Sequence, residues 1–332
     1  MIKIVADKDI PFLEGVLEPF AEVVRLDGRS IGPREVRDAD AVVVRTRTRC
    51  DARLLGGSSV RAVVTATIGT DHIDTLWCRS RGVAVFNAAG CNARGVLQWV
   101  AAVLAHLART RGLKPSETVL GVVGVGHVGS LVCEYASRWG FRTICCDPPR
   151  EEREHCGFVT ATEVFGAADI VTLHTPLDDT TRHLVNSELL ASCGRKPFVI
   201  NSSRGEVADG GALLASGVDF ALDVWENEPD IDRRLLERAV IATPHIAGYS
   251  LQGKANASAA AVEALATFFG LPLAGWYPEG VRPSQPQPTG WEQMCREMAE
   301  RYDIDSESRR LKAHPELFES MRNGYDYREE FF

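Results

Sequence analysis

Three residues in the middle of this chain carry chemistry in a usable order: Arg204 in Asn201-Ser202-Ser203-Arg204-Gly205, Glu228 in Asn227-Glu228-Pro229, and His245 in Thr243-Pro244-His245. Oxidising a hydroxyl beside a carboxylate needs a base for the hydroxyl proton, a cation that orients the acid and polarises the oxygen, and a hydride acceptor. An imidazole, with an ordinary pKa of about 6.5, suits the first role at His245. A carboxylate at Glu228 can bond the far ring nitrogen, fixing its tautomer and favouring the protonated form. The planar fork of Arg204 matches a carboxylate. Singly, each would be an ordinary loop residue. What makes them a set is the segment upstream.

That segment is Gly124-Val125-Gly126-His127-Val128-Gly129, with an apolar run before it (Val119–Val123) and a helical pattern after it (Ser130–Arg138). In a dinucleotide fingerprint Gly124 permits the tight turn, Gly126 lets a pyrophosphate approach the backbone and Gly129 lets helix pack on strand. His127 and Val128 complete the cofactor loop, at a helix N-terminus where free N–H groups favour an anion. Asp147 closes the next strand and is placed to accept the ribose hydroxyls, which favours NAD over NADP. Arg150 complicates that choice, because an arginine there could meet a 2′-phosphate.

The elements that must hold these residues follow from apolar patterning. Short apolar runs alternate with helical stretches, the α/β signature. Strands are expected at Ile2–Ala6, Glu22–Leu26, Ala41–Arg45, Ala62–Ala66 and Ala84–Asn87, with helices at Phe12–Pro19 and Asp51–Leu55 between them. A second set is expected at Val119–Val123, Arg142–Asp147, Ile170–His174, Phe198–Asn201, Phe220–Val224 and Val240–Thr243. A nearly continuous apolar helix from Asn92 to Arg111 is expected to be buried between domains. An alanine-rich helix, Ala255–Phe269, should return to the first unit. Pro272, Pro278, Pro283, Pro286 and Pro288 mark a stiff linker. The expected fold is two doubly wound Rossmann-like α/β domains, the nucleotide domain inserted in the other, plus a short C-terminal segment. The boundaries are 1–92 with 250–271 for the substrate-binding domain, 93–249 for the NAD-binding domain and 272–332 for a dimerisation segment, whose aromatics suggest docking on another subunit.

Composition narrows the class. The chain has 332 residues, 45% hydrophobic and 25% charged, which is usual for a globular enzyme of two domains. Its 37 basic and 45 acidic residues leave a net charge of −8, against nucleic acid as the main partner. Nine scattered cysteines without a C-x-x-C pair read as reduced thiols and not as a metal site. The N-terminus starts as a strand, without the apolar core of a signal peptide, and no apolar run is long enough to span a membrane. A cytoplasmic protein is expected.

The assembled motifs resemble the NAD-dependent D-2-hydroxyacid dehydrogenase family. They are Val122-Val123-Gly124-Val125-Gly126, His174-Thr175-Pro176-Leu177, the Arg204 and Glu228 segments, and Thr243-Pro244-His245-Ile246-Ala247-Gly248. The resemblance implies Arg204, Glu228 and His245 as catalytic residues, and Asp147, Thr175, Asp223 and Gly248 at NAD. It further implies Thr46, Thr67 and Tyr249 at the substrate, and a homodimer formed through the C-terminal segment. Four further stretches point to a branch acting on a phosphorylated 2-hydroxy acid: Thr65–His72, Ala89–Ala93, His245–Lys254 and the aromatic tail. From the residues themselves, Arg45-Thr46-Arg47-Thr48-Arg49 offers a phosphate site: if the strand continues, the arginines share one face. Arg45 would bind the phosphate, assisted by Thr46 or Thr48 if the chain turns there. The alternative for Arg47 and Arg49 is a basic edge that deters strand pairing. Arg322 and Arg328 in the tail could reach a neighbour's phosphate site. Two other functions stay open: a dehydrogenase of a three-carbon phosphorylated acid, and an NAD(H)-sensing scaffold related to corepressors.

Overall fold

The computed structural model describes residues 1–285 and 287–332, so Pro286 of the expected linker lies outside the described residues. The chain divides into two compact units, 1–92 with 250–284 and 93–249 with 285–332. The segment set apart in the sequence as 272–332 is therefore split between them.

In the first unit five parallel strands lie in the order β2-β1-β3-β4-β5, with β1 at Ile2–Asp7, β2 at Ala21–Leu26, β3 at Ala41–Val44, β4 at Ala62–Thr65 and β5 at Ala84–Asn87. The middle strands β3 and β4 are buried along their whole length, as expected of a parallel sheet covered on both faces. One cover is the helix Leu251–Phe269, whose Ala261, Val262 and Leu265 pack with Ile4, Val43 and Val64. Ser250 caps it by accepting from the Gly253 N–H at 3.0 Å. The short helix Ala52–Leu55 starts where Asp51 accepts from the Arg53 and Leu54 N–H groups. Phe12–Pro19 is a run of turns and not a helix. Phe12 (φ 61°) and Gly15 (φ 79°) are both left-handed there; the helical spacing of Leu13 and Leu17 arose because turns can bury both.

In the second unit six parallel strands run β11-β10-β9-β8-β6-β7. They are β6 at Val119–Val123, β7 at Arg142–Cys146, β8 at Ile170–Leu173, β9 at Phe198–Asn201, β10 at Phe220–Leu222 and β11 at Ile241–Ala242. The strand order reverses between β6 and β8. Connections leave that point in opposite directions, which opens a crevice at the carboxyl ends of these two strands. The helix Ala93–Arg111 is buried within this unit, with Leu97, Trp99, Val100, Val103 and Leu104 fully inaccessible; each such aliphatic side chain contributes roughly 1.5–3 kcal/mol of burial free energy.

The C-terminal part of this unit comprises the helices Trp291–Arg301, Ile304–Ala313 and Phe318–Asn323. Met294, Met298, Leu311, Phe318 and Met321 are buried in its cores, and the Ser308 hydroxyl oxygen accepts from the Ala242 N–H of β11 at 3.0 Å. The aromatic tail folds back on its own chain. Phe332 sits 5.6 Å from Tyr135 and 6.0 Å from Trp139, ring centre to ring centre. Local burial explains it: the helix His127–Trp139 presents two large rings that the tail covers.

Candidate active site

The three glycines of the fingerprint meet three different constraints. Gly124 has φ 85°, and a Cβ there would lie 2.7 Å from the carbonyl carbon of His174 at the end of β8. A Cβ on Gly129 would lie 2.0 Å from the Gly124 oxygen, so only glycine lets the helix His127–Trp139 approach the turn. A Cβ on Gly126 would point into open space at the helix N-terminus, which has no side-chain cap. Those are the features of a loop that cradles an anion. Asp147 faces the loop: its carboxylate accepts from the Val125 N–H at 2.7 Å and from the Arg150 N–H at 3.0 Å. Arg150 is held by Glu154 at 2.8 Å and by the Val125 carbonyl at 3.0 Å, so its fork is engaged by a carboxylate of its own helix. His127 is exposed and Val128 half-buried beside it. The Thr175 hydroxyl, just past β8, is buried without a hydrogen-bond partner among the described residues. A dinucleotide pyrophosphate and ribose fit this donor set: an open helix N-terminus, an unsatisfied hydroxyl and an acid after β7.

The residues singled out for catalysis lie beyond the ends of β9, β10 and β11, and two of them, Glu228 and His245, meet. His245 Nδ1 lies 2.7 Å from Glu228 Oε2, and the Trp225 N–H donates to Glu228 Oε1 at 2.9 Å. Both side chains are mostly covered, at 27% and 18% exposed. Burial by itself would raise the Glu228 carboxyl. The charge and hydrogen bond of His245, the Arg322 guanidinium and the Trp225 N–H outweigh it and hold the carboxyl below its usual range. Arg204 follows β9; its Nη1 donates to the Ser203 carbonyl at 2.8 Å, and its own carbonyl accepts from Asn201 Nδ2 at 2.9 Å. Gly205 ties this loop to the Glu228 loop, since a Cβ there would lie 2.0 Å from the Trp225 carbonyl carbon. No side chain is compatible with that approach.

Asp223, implied by the resemblance to lie at the cofactor, has its carboxylate bonded by protein donors. It accepts from Thr243 Oγ1 at 2.6 Å, from the Ile246 N–H at 2.7 Å and from the Ala247 N–H at 2.8 Å, and it is 1% exposed. Its own carbonyl accepts from the His245 N–H at 2.7 Å. Trp99 completes the network by donating from Nε1 to Thr243 Oγ1 at 2.9 Å. These bonds fix the loop on which His245 takes its left-handed conformation, φ 58°, and Gly248 and Tyr249 follow in a turn closed by the Tyr249 N–H on the Ile246 carbonyl at 2.8 Å.

Sequence reasoning missed several supports. Trp99 and Thr243 read as core and motif residues. Ser202, whose hydroxyl is buried beyond β9 without a partner among the described residues, was passed over beside Arg204. Arg322 and Arg328, expected at a neighbour's site, brace this chain's own loop. Arg328 donates to the carbonyls of Ile246 at 3.1 Å and Gly95 at 3.0 Å, and to that of Ala247.

In the first unit β3 ends at Val44 and residues 45–48 turn, closed by the Thr48 N–H on the Arg45 carbonyl at 3.3 Å. The arginines therefore do not share one face of a continuing strand. Arg45 bonds two carboxylates, Asp7 at 3.2 Å and Asp9 at 3.1 Å. Thr48 is buried with its hydroxyl given to the Gly28 carbonyl at 2.7 Å, Thr46 is exposed, and Arg49 pairs with Asp51 at 3.0 Å. Thr67, past β4, bonds Thr65 at 2.6 Å and the Gly69 carbonyl at 3.1 Å.

His174 lies at the fingerprint's contact point. Burial pushes its imidazole down to about 3, and Nε2 lies 3.0 Å from Thr172 Oγ1. Because the folded value is depressed, the unfolded chain takes up a proton first as pH falls through about 6.5, and stability is lost from there toward the folded value. Between about pH 7 and about pH 5 the expected loss from this group is about 1–2 kcal/mol. His174→Asn should remove that part, read as a smaller difference between urea midpoints at the two pH values.

Comparison with known proteins agrees with the geometry. Residues 92–247 match the family described as D-isomer specific 2-hydroxyacid dehydrogenase, NAD binding domain. Among solved structures, the D-lactate dehydrogenase of Aquifex aeolicus complexed with NAD and lactic acid superposes with a TM-score of 0.66 at 23% identity, covering 85% of this chain and 100% of that one. At that identity it shows the fold alone. The erythronate-4-phosphate dehydrogenase of Bacteroides fragilis is 42% identical over 342 aligned positions, covering 99% of this chain and 97% of the relative. That of Porphyromonas gingivalis is 38% identical, covering 98% and 93%. The fold and site thus define a dehydrogenase of D-2-hydroxy acids. Within that class, the chain belongs to the erythronate-4-phosphate dehydrogenase family.

Proposed function

We propose that this chain oxidises 4-phospho-D-erythronate with NAD, giving (R)-3-hydroxy-2-oxo-4-phosphobutanoate, a step of pyridoxal 5′-phosphate biosynthesis. The observation that carries the reading is the His245–Glu228 pair at 2.7 Å, locked beside the Arg204 loop, in a chain so alike over its whole length to relatives of that name. NAD, when bound, accepts the hydride that leaves C2. Residues of the glycine loop with Asp147, Thr175, Asp223 and Gly248 hold it, and Asp223 also fixes the His245 loop. As the C2–H bond breaks, His245 Nε2 takes the hydroxyl proton, and the C2–O bond becomes a carbonyl. Glu228, bonded to Nδ1, stabilises the imidazolium that results. Arg204 pairs with the substrate carboxylate, and Tyr249 contacts the substrate.

Arg45, Thr46 and Thr67 are proposed for the phosphorylated end. Asp9 is 41% exposed, so its pair with Arg45 is the kind worth only about 0–1 kcal/mol and readily exchanged for a phosphate, while buried Asp7 keeps the guanidinium oriented. Arg45→Ala is expected to raise KM for the phosphorylated acid about tenfold, a loss of roughly 1.4 kcal/mol, and Asp9→Asn to lower it. Equal losses on unphosphorylated acids would remove Arg45 from this role.

The deciding experiment is single-turnover reduction of NAD on 4-phospho-D-erythronate beside 3-phosphoglycerate. Preference for the four-carbon acid supports the proposal. Preference for the three-carbon acid replaces it, and inertness with both despite NADH binding points to a sensing scaffold. A cytoplasmic location and a homodimer belong to the same proposal; no helix among the described residues is long and apolar enough to cross a membrane. Sedimentation of the purified chain tests the dimer.

A further inference from the structure

The helix Phe318–Asn323 lies against the catalytic loops of its own chain. Phe318 and Met321, three positions apart, are buried in the core of the second unit, and their anchoring aims the neighbouring Arg322 at the catalytic pair. Its Nη1 lies 3.7 Å from Glu228 Oε2, the same oxygen that meets His245 Nδ1 at 2.7 Å. Its Nε donates to the Tyr249 hydroxyl at 3.2 Å. The first contact is an ion pair too long for a hydrogen bond, and the second is a hydrogen bond.

We propose that Arg322 is a positioning residue for the catalytic pair: it shares Glu228 with His245, restrains Tyr249, and so makes His245 a readier donor of its proton. The reasoning is electrostatic. Glu228 alone would favour protonated His245 strongly. A fixed positive charge on the same carboxylate offsets part of that attraction and repels the imidazolium directly. Groups among the described residues that face the pair include the Trp225 N–H from the loop after β10, Arg322 from the C-terminal helix, and Tyr249 against Arg322. Asp223 lies close enough to act on Arg322, and together with Glu228 and Tyr249 it offsets burial and keeps the guanidinium charged. The guanidinium is three-quarters covered, at 25% exposed, so its field is not dispersed by solvent as a surface arginine's would be. Both direction and geometry agree, since Arg322 is among the groups that hold the Glu228 carboxyl down.

The inference rests on the proposed roles of Glu228 and His245 and not on the identity of the substrate. The test is therefore the titration of the His245 imidazole by NMR in the cofactor-free protein, for the wild type, Arg322→Gln and Arg322→Lys. The His245→Asn variant assigns the resonance. Arg322→Gln is expected to move the midpoint to higher pH by about half a unit or more, while Arg322→Lys, which keeps the charge, should stay nearer the wild type. The acid limb of the oxidation rate should move the same way. An unmoved midpoint in Arg322→Gln, or equal shifts in both variants, would overturn the proposal. If Arg322→Gln does not fold, Arg322→Met, which keeps the packing of the stem, is read by the same criteria. A chain inactive on both phosphorylated acids that still shows the shift would sink the substrate assignment and leave the role of Arg322 standing.

Discussion

Replacing His245 with asparagine is expected to cut turnover by about 10²–10⁴-fold while leaving NADH affinity nearly unchanged. Asparagine is of similar size and keeps an amide that can reach Glu228, so the loop held by Asp223 has no reason to move. What it lacks is a ring nitrogen that can take up the hydroxyl proton. Stopped-flow absorbance would give the rate of hydride transfer, and fluorescence titration would give the NADH affinity. A fall of less than about tenfold would mean that another group takes the proton. A matching loss of NADH binding would mean that the substitution disturbed the cofactor loop instead.

The second large effect is expected beneath the catalytic loop. Asp223→Ala removes a 1% exposed carboxylate and leaves Thr243 Oγ1 and the N–H groups of Ile246 and Ala247 without their acceptor. Buried donors left unmet cost about 1–3 kcal/mol each, so a loss of at least about 3 kcal/mol is expected from the three together. Urea unfolding would measure it. Activity should fall further than stability alone explains, because the same bonds place His245 at φ 58°. Asp223→Asn separates the two effects: its carboxamide oxygen can still accept, but its NH2 would face one of the backbone N–H groups. An Asp223→Ala protein with wild-type stability and turnover would mean the network does not support the loop.

The sheet of the second unit was legible because its strands are short apolar runs bounded by turn residues. Val119–Val123 and Phe198–Asn201 coincide with the expected spans. The doubly wound pattern followed from their alternation with helices. Local spacing misled where turns imitate a helix, at Leu13 and Leu17, and where the chain leaves β3 one residue early, which changes where the Arg45–Arg49 side chains point. In the site, Arg204, Glu228 and His245, each an ordinary loop residue taken singly, were visible as a set because they follow expected strands downstream of the glycine fingerprint. Their supports were not. Arg322 and Arg328 lie 77 and 83 positions beyond His245, on a segment whose charged residues look like a solvated surface. Only three-dimensional contact distinguishes those that face inward. Asp223 was readable as important, but nothing local shows whether its carboxylate meets a ligand or the backbone of its own loop.

The brace supplied by Arg328 has a consequence for the order in which the molecule is made. Ile246, whose carbonyl it holds, precedes it by 82 positions. A ribosome adding about 5–20 residues per second therefore needs several seconds between the two. During that interval the growing chain already contains the glycine fingerprint and all three reactive side chains, yet the backbone behind His245 still lacks its clasp. Chemical competence is thus expected only after Arg328 has been added. Fragments ending before the clasp would have every recognisable motif and an unsecured catalytic loop.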